Sequence, residues 1–428
     1  MKKIIFLFYI AIILVNCSDK KPVGDYSVID VIGNIGKYQK VFCSELFSSI
    51  ELVILETSDK CLIGESNSVV FLNDSLIIVK DIKSNLSGIL TSPNRSGILV
   101  SNMNLYAFNR SGIFKNEIGK TGQGPSDYNS VGDVFINKDL FNIYVSDQTK
   151  ILEYEFNGNF IRAFQRPEIE NFFSNRFGYV GEKLFVGQIN YSEKNKFKYF
   201  LFDQNGDTIK TFPNHIFFDK VDLDNIPFVD ALNPIRVDNL LYLKDYVNDT
   251  LYALINKNLH PAYVFSFTDK FGYSYQQTLS SKNIIKIITL VGMPNHLFYQ
   301  IQVPDIFPRP KSKPEYNSII NQYRQNDGFI YGIYDNKKNI NTLLDTDEYF
   351  QKGFINDING GLPFIPRYYA GNNIVTDVWN PYDMIEMLTE DYFSKQTIKD
   401  QQAHQKLKEL LKILKEDDNP VVVVAKLK

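Results

Sequence analysis

The stretch Ile118-Gly119-Lys120-Thr121-Gly122-Gln123-Gly124-Pro125-Ser126-Asp127-Tyr128 lies between two copies of one pattern: an aromatic strand, a turn of Asn, Asp or Gly, and a second short strand. The upstream copy is Leu105-Tyr106-Ala107-Phe108-Asn109-Arg110-Ser111-Gly112-Ile113-Phe114. The downstream copy is Ile151-Leu152-Glu153-Tyr154-Glu155-Phe156-Asn157-Gly158-Asn159-Phe160-Ile161. Hairpins recurring at a fixed interval predict a radial β-architecture. Phe108 to Phe156 is 48 residues, Phe156 to Phe202 is 46, and 52 more lead to Leu254, each within the same pattern. A unit of roughly 40 to 50 residues is one four-stranded propeller blade. Asn157-Gly158 and Asn205-Gly206 supply the positive φ angles of tight hairpins. In the next copy, Phe329 to Lys338, the equivalent position is Tyr334, 80 residues after Leu254, so a blade has diverged or one carries an insertion.

The element Gly119 to Tyr128 and its hairpins, with Asn248-Asp249-Thr250-Leu251-Tyr252 and Asp418-Asn419-Pro420-Val421-Val422-Val423-Val424, resemble the six-bladed β-propeller lipoproteins of Bacteroidetes, relatives of the NHL-repeat propellers. The resemblance runs from about Phe47 to the end. It implies an all-β, six-bladed β-propeller with four-stranded blades and a C-terminal helical segment packed on the ring. It implies no particular reaction.

Residues 18–45 read as a tether and leading segment, and 46–428 as the propeller. Val69 to Val79 reads as strand, Asn-Asp turn, strand. Ser84 to Ser101 and Phe217 to Pro234 read as loop excursions, as does Ile306 to Ser318, whose prolines oppose a regular strand. A helical insertion is expected over about 383–417, because Leu407, Leu410, Leu411 and Leu414 fall on one helical face. The β-branched run over 420–426 is expected to close the ring by pairing with N-terminal strand material, removing the edges of an open sheet.

Composition excludes some functions. The net charge is −3, so there is no basic footprint for nucleic acid. Besides Cys17 only Cys43 and Cys61 occur, 18 positions apart, and they read as separate buried thiols. None of the four histidines, His215, His260, His296 and His404, stands at metal-ligand spacing with another His or Cys. No Gly-x-Ser-x-Gly element is present, and Gly119 to Pro125 lacks the Lys-Ser/Thr ending of a phosphate loop.

Three groups of residues remain as candidate sites. In the glycine-rich loop, Gly122 and Gly124 are expected to take turn angles closed to other residues. The alternative is a ligand-facing loop in which Gln123 and Asp127 offer amide and carboxylate contacts. Arg367, Tyr368 and Trp379 belong either to the core or to a sugar-stacking platform. Asp133 and Asp147 flank one predicted strand pair. No cofactor is expected; the alternative is a divalent cation such as Ca2+ held at such carboxylates as in gluconolactonase-type propellers, since hard cations prefer oxygen. The favoured reading is a non-catalytic binding or scaffolding module for a glycan, peptide or envelope protein, acting as a monomer. The alternative is a channel-metal lactonase-like hydrolase or lyase.

The first 17 residues read as an export signal. Lys2 and Lys3 precede an apolar run from Ile4 to Val15, too short to span a bilayer. Leu14-Val15-Asn16-Cys17 resembles a lipobox with Cys17 as the lipidated residue, which implies an outer-membrane anchor facing the periplasm or the surface. Labelled palmitate fed to expressing cells is therefore expected to mark the wild-type protein and not Cys17→Ala. Equal labelling of the two would refute the anchor.

Overall fold

The computed structural model describes residues 26–428 except 66, 85–100, 129–132, 139, 148–149, 168–175, 190–195, 216–233, 245–248, 268–283, 312–314, 318–321, 325–327 and 350. Cys17, the stretch after Ser84 and most of the Phe217 to Pro234 excursion fall outside these residues.

The chain enters through β1 (Ser27–Asp30), a short helix α1 (Cys43–Leu46) and β2 (Phe47–Ile54). Blade 1 is β3 (Asn67–Leu72), β4 (Leu76–Ser84), β5 (Ser101–Asn109) and β6 (Phe114–Glu117). Blade 2 is β7 (Asp133–Asn137), β8 (Asn142–Ser146), β9 (Lys150–Glu155) and β10 (Phe160–Gln165). Blade 3 is β11 (Arg176–Gly181), β12 (Leu184–Gln188), β13 (Phe197–Asp203) and β14 (Thr208–Pro213). Blade 4 is β15 (Ile235–Val237), β16 (Leu240–Lys244), β17 (Thr250–Ile255) and β18 (Asn258–Ser266), with β1 added in parallel on its outer edge. Blade 5 contains β19 (Lys286–Met293) and β20 (His296–Gln302). A small hairpin, β21 (Glu315–Asn317) and β22 (Gln322–Arg324), intervenes before β23 (Phe329–Asp335) and β24 (Ile340–Leu343) complete the blade.

Blade 6 begins with β25 (Tyr368–Gly371) and β26 (Ile374–Trp379). Three helices follow, α2 (Pro381–Met387), α3 (Glu390–Ser394) and α4 (Gln401–Leu411), and then β27 (Val421–Leu427). The protein is thus a six-bladed β-propeller. The sequence repeat marks the third strand of blades 1 to 5, and the 80-residue interval reflects insertion rather than a missing blade: β23 is the third strand of blade 5.

The blades pack face to face through aromatic residues. Phe185 contacts Phe135, Tyr144, Phe164, Tyr179 and Phe202 at centroid distances between 5.1 and 5.9 Å, binding blade 2 to blade 3. Polar side chains cap the starts of the three C-terminal helices. Asn380, Thr389 and Asp400 each accept a hydrogen bond from a backbone N–H of the first turn. The cap at Thr389 separates α2 from α3 within the expected helical insertion. Leu407 and Leu414 are buried together with Met384, Leu388, Tyr392 and Phe393 against Trp379, Val421 and Val423, so the helices pack on the ring. Cys43 and Cys61 are buried, unbridged thiols.

The two ends of the ring differ. At one end the hairpins between first and second strands, and between third and fourth, are tight. Among the described residues every non-glycine residue with left-handed φ lies in these hairpins: Phe141, Glu182, Lys183, Asp238, Asn256, Lys257, Asn295, Asn339, Asn372 and Asn373. The innermost strands begin at the opposite end.

Closure is made by β27. It pairs antiparallel with β2 from Phe47↔Leu427 to Ile54↔Val421 and with β26 from Ile374↔Lys426 to Trp379↔Val421. Val421, Val422, Val423 and Ala425 are wholly buried, and each fully buried valine contributes ~1.5–3 kcal/mol. Removing residues 419–428 is expected to abolish cooperative thermal unfolding followed by circular dichroism. A truncated protein melting at the wild-type temperature would contradict this role.

Candidate functional site

The innermost strands β3, β7, β11, β15, β19 and β25, one from each blade, surround a central cavity of about 400 Å³. Its walls are apolar and polar in nearly equal measure: Val69, Val134, Ile136, Phe177 and Leu290 are among the apolar residues, and five charged side chains line it, Lys80, Asp133, Lys138, Arg236 and Arg367. Four of the five are cations. Lys80 pairs with Ser68 near the start of β3, Asp133 opens β7, and Arg367 immediately precedes β25, so these three belong to the end where the inner strands begin. Lys138 follows β7 and lies toward the hairpin end.

Side chains cross the channel near the hairpin end. Lys138 Nζ of blade 2 donates to the Ala370 carbonyl of blade 6 at 2.7 Å. Tyr369 Oη of blade 6 donates to Asp238 Oδ1 of blade 4 at 3.1 Å, and Arg236 of blade 4 donates to the carbonyl of Tyr179 in blade 3. Burial lowers the Lys138 pKa, with Arg236 adding to the shift and Asp238 opposing it. Burial, with help from Asp238, pushes the Tyr369 hydroxyl up to about 12. It is therefore a neutral donor at physiological pH.

Arg367 is held from behind. Its Nε donates to Asp377 Oδ1 at 2.7 Å. Asp377 also accepts from the backbone N–H of Ile365 (2.9 Å) and Val378 (2.8 Å) and from Trp379 Nε1 (3.2 Å). Burial raises the Asp377 carboxyl, and Arg367 with the two backbone donors pulls it back; four N–H donors on two oxygens suit the ionised form. The Asp377 side chain is 2% exposed, whereas that of Arg367 is 51% exposed, open to the water of the channel while Nε stays fixed.

The sequence candidates are thus dispersed. Arg367 and Tyr368 line the channel together. Trp379 is buried in the core against Gly361 and meets Arg367 only through Asp377, so its ring offers no stacking face. Asp133 lines the channel, and its Oδ1 accepts from the N–H of Val134. Asp147 follows β8, the neighbour of β7, and is buried without lining the cavity. Among the described residues no three His, Cys, Asp or Glu side chains converge as a metal-binding group.

Gln123 and Asp127 stand outside the channel, on the loop joining blade 1 to blade 2; Gln123 is exposed. The loop is closed from within. Asp127 Oδ2 accepts from Gly124 N at 3.0 Å, Tyr154 Oη donates to the Ser126 carbonyl at 2.5 Å, and Tyr128 is wholly buried. One expectation about this loop is corrected. Neither Gly122 nor Gly124 takes a positive φ; Gly119 does, at 64°. Gly122 is required because a Cβ there would stand 2.3 Å from Asp127 Oδ2.

Lys80, Lys138, Arg236 and Asp377 were missed from sequence. For three of them a signal was present: Ile77-Ile78-Val79-Lys80, Ile235-Arg236-Val237 and Val375-Thr376-Asp377-Val378 each place a charge inside an apolar strand.

A chain of this architecture is a six-bladed β-propeller with a charged central channel. Residues 92–426 match the family described as "Domain of unknown function (DUF4934)", and the chain belongs to that family. Residues 21–87 match "6-bladed beta-propeller" (DUF5128). Among solved structures, a Bacteroides fragilis protein described as exported is 17% identical, with a TM-score of 0.62, over 94% of this chain and all of that one. A member of the DUF4221 family from Bacteroides vulgatus is 10% identical, with a TM-score of 0.43, over 89% of this chain and 98% of that one. No curated protein matches the sequence.

The loop geometry yields a coupling test. Gly122→Ala is expected to displace Asp127 and cost about 1–3 kcal/mol in denaturant unfolding, and much less when Asp127 is already Ala. Gln123→Ala is expected to leave stability unchanged. Equal cost of Gly122→Ala in both backgrounds would overturn this account.

Proposed function

We propose that the protein is a lipid-anchored cell-envelope propeller acting as a binding or scaffolding module for a glycan, peptide or protein partner. The observation that carries the reading is the channel. All six blades contribute to one concave cavity of ligand-binding size, in which apolar side chains alternate with fixed charged and polar groups, a composition suited to recognition of a polar ligand. The fold and the exported relative support it at the coarser level of an exported binding or scaffold propeller. Partners are taken at the end where the inner strands begin, since Lys80, Asp133 and Arg367 lie there. The metal-dependent alternative needs further ligands beside Asp133 and Asp147, and among the described residues no third His, Cys, Asp or Glu converges with them.

Protein purified without chelator is expected to carry less than about a tenth of an equivalent of Ca, Mn or Zn, whereas a resident catalytic ion would approach stoichiometry. A glycan array and a pull-down from envelope fractions are expected to yield a partner. Stoichiometric metal lost in Asp133→Asn, together with turnover of a lactone, would replace this reading with the hydrolase.

A further inference from the structure

We infer that the channel is a receptor for a carboxylate borne on a compact polar body of about one or two sugar rings, a sugar acid. This deepens the binding-module reading and rests on it.

Arg367 carries the inference. Its Nε edge is committed to Asp377, while neither Nη group has a hydrogen-bond partner among the described residues and half of the side chain is open to the channel. The guanidinium is thus oriented in advance with its remaining donors toward the cavity, the planar fork that pairs bidentately with a carboxylate. Tyr368, the next residue, also lines the cavity, and its hydroxyl has no hydrogen-bond partner among the described residues. Lys80 adds a second cation at the same end. Asp377 and Asp238 are not among the lining residues and Asp133 is the one carboxylate that is, against the cations Lys80, Lys138, Arg236 and Arg367, so the lining charge is predominantly positive.

The size of the cavity selects among anions. At about 400 Å³ it far exceeds the ~30 Å³ share of one water molecule, and a small inorganic anion would leave most of it unfilled. The apolar part of its lining suits the body of a ring, and the tyrosine hydroxyl suits its polar substituents.

The test is calorimetric titration of the intact propeller with D-glucuronate, a glucuronate-terminated oligosaccharide and glucose, alongside thermal melting of each variant. Glucuronate is expected to bind and glucose not. Arg367→Lys keeps the charge opposite Asp377 but removes the fork, and is expected to weaken binding roughly tenfold or more with the melting temperature nearly unchanged. Tyr368→Phe is expected to weaken it less, and serves as the second variant if Arg367→Lys unfolds. Tighter binding of the oligosaccharide than of the monomer assigns the end of an acidic glycan; equal affinity assigns the free acid.

The inference is overturned if neither acid binds up to about 10 mM, if glucose binds equally, or if both variants bind like wild type. If any of these occurs while the pull-down or array still returns a partner, the binding-module reading stands without the carboxylate. An empty pull-down and array remove that reading as well.

Discussion

The last strand of the sequence lies between two others in blade 6, and this arrangement holds the ring together. β27 satisfies its backbone groups on both sides, with β26 from the same end of the chain and with β2 from the opposite end. Without it β2 and β26 each present an unpaired edge, and an open propeller has no geometric reason to stay circular. The buried run Val421 to Ala425 makes the joint hydrophobic as well as hydrogen-bonded. The helices between β26 and β27 reinforce it by packing Leu407 and Leu414 onto the same cluster as Val421 and Val423.

A closed ring makes a charged channel tolerable. Lys138, Arg236 and Arg367 project from different blades, and bringing like charges into a confined space is unfavourable unless the scaffold resists expansion. The aromatic packing between blades supplies that resistance, and backbone carbonyls of other inner strands take up donors of Lys138 and Arg236. Arg367 is treated differently. Its partner is a buried carboxylate fixed by three further N–H donors, so the guanidinium is oriented without being consumed.

The Gly119 to Tyr128 loop shows how a specific sequence signature can have a structural cause. Its glycines make room for Tyr128, Tyr154 and Asp127, and the Asp127 carboxylate is turned inward on the loop itself. The loop fixes the passage from blade 1 to blade 2. Its aspartate stabilises the turn, while the exposed Gln123 takes no part in that network.

By itself the sequence determined the blade repeat, the tight Asn-Gly hairpins, the C-terminal helix and the closing strand. Each is local, a matter of periodicity, turn chemistry or a β-branched run of neighbouring residues. Tertiary structure decided the channel. Its charged lining comes from four blades and from residues as far apart as Lys80 and Arg367, and no spacing along the chain encodes their convergence. Arg367 and Tyr368 were legible as candidates because an arginine beside aromatic residues is a recognisable composition. That Trp379 would sit behind Asp377 rather than face a ligand depended on the strand register. Successive residues of a strand point to opposite faces, and only the packing of blade 6 fixes which of those faces lies behind the channel wall.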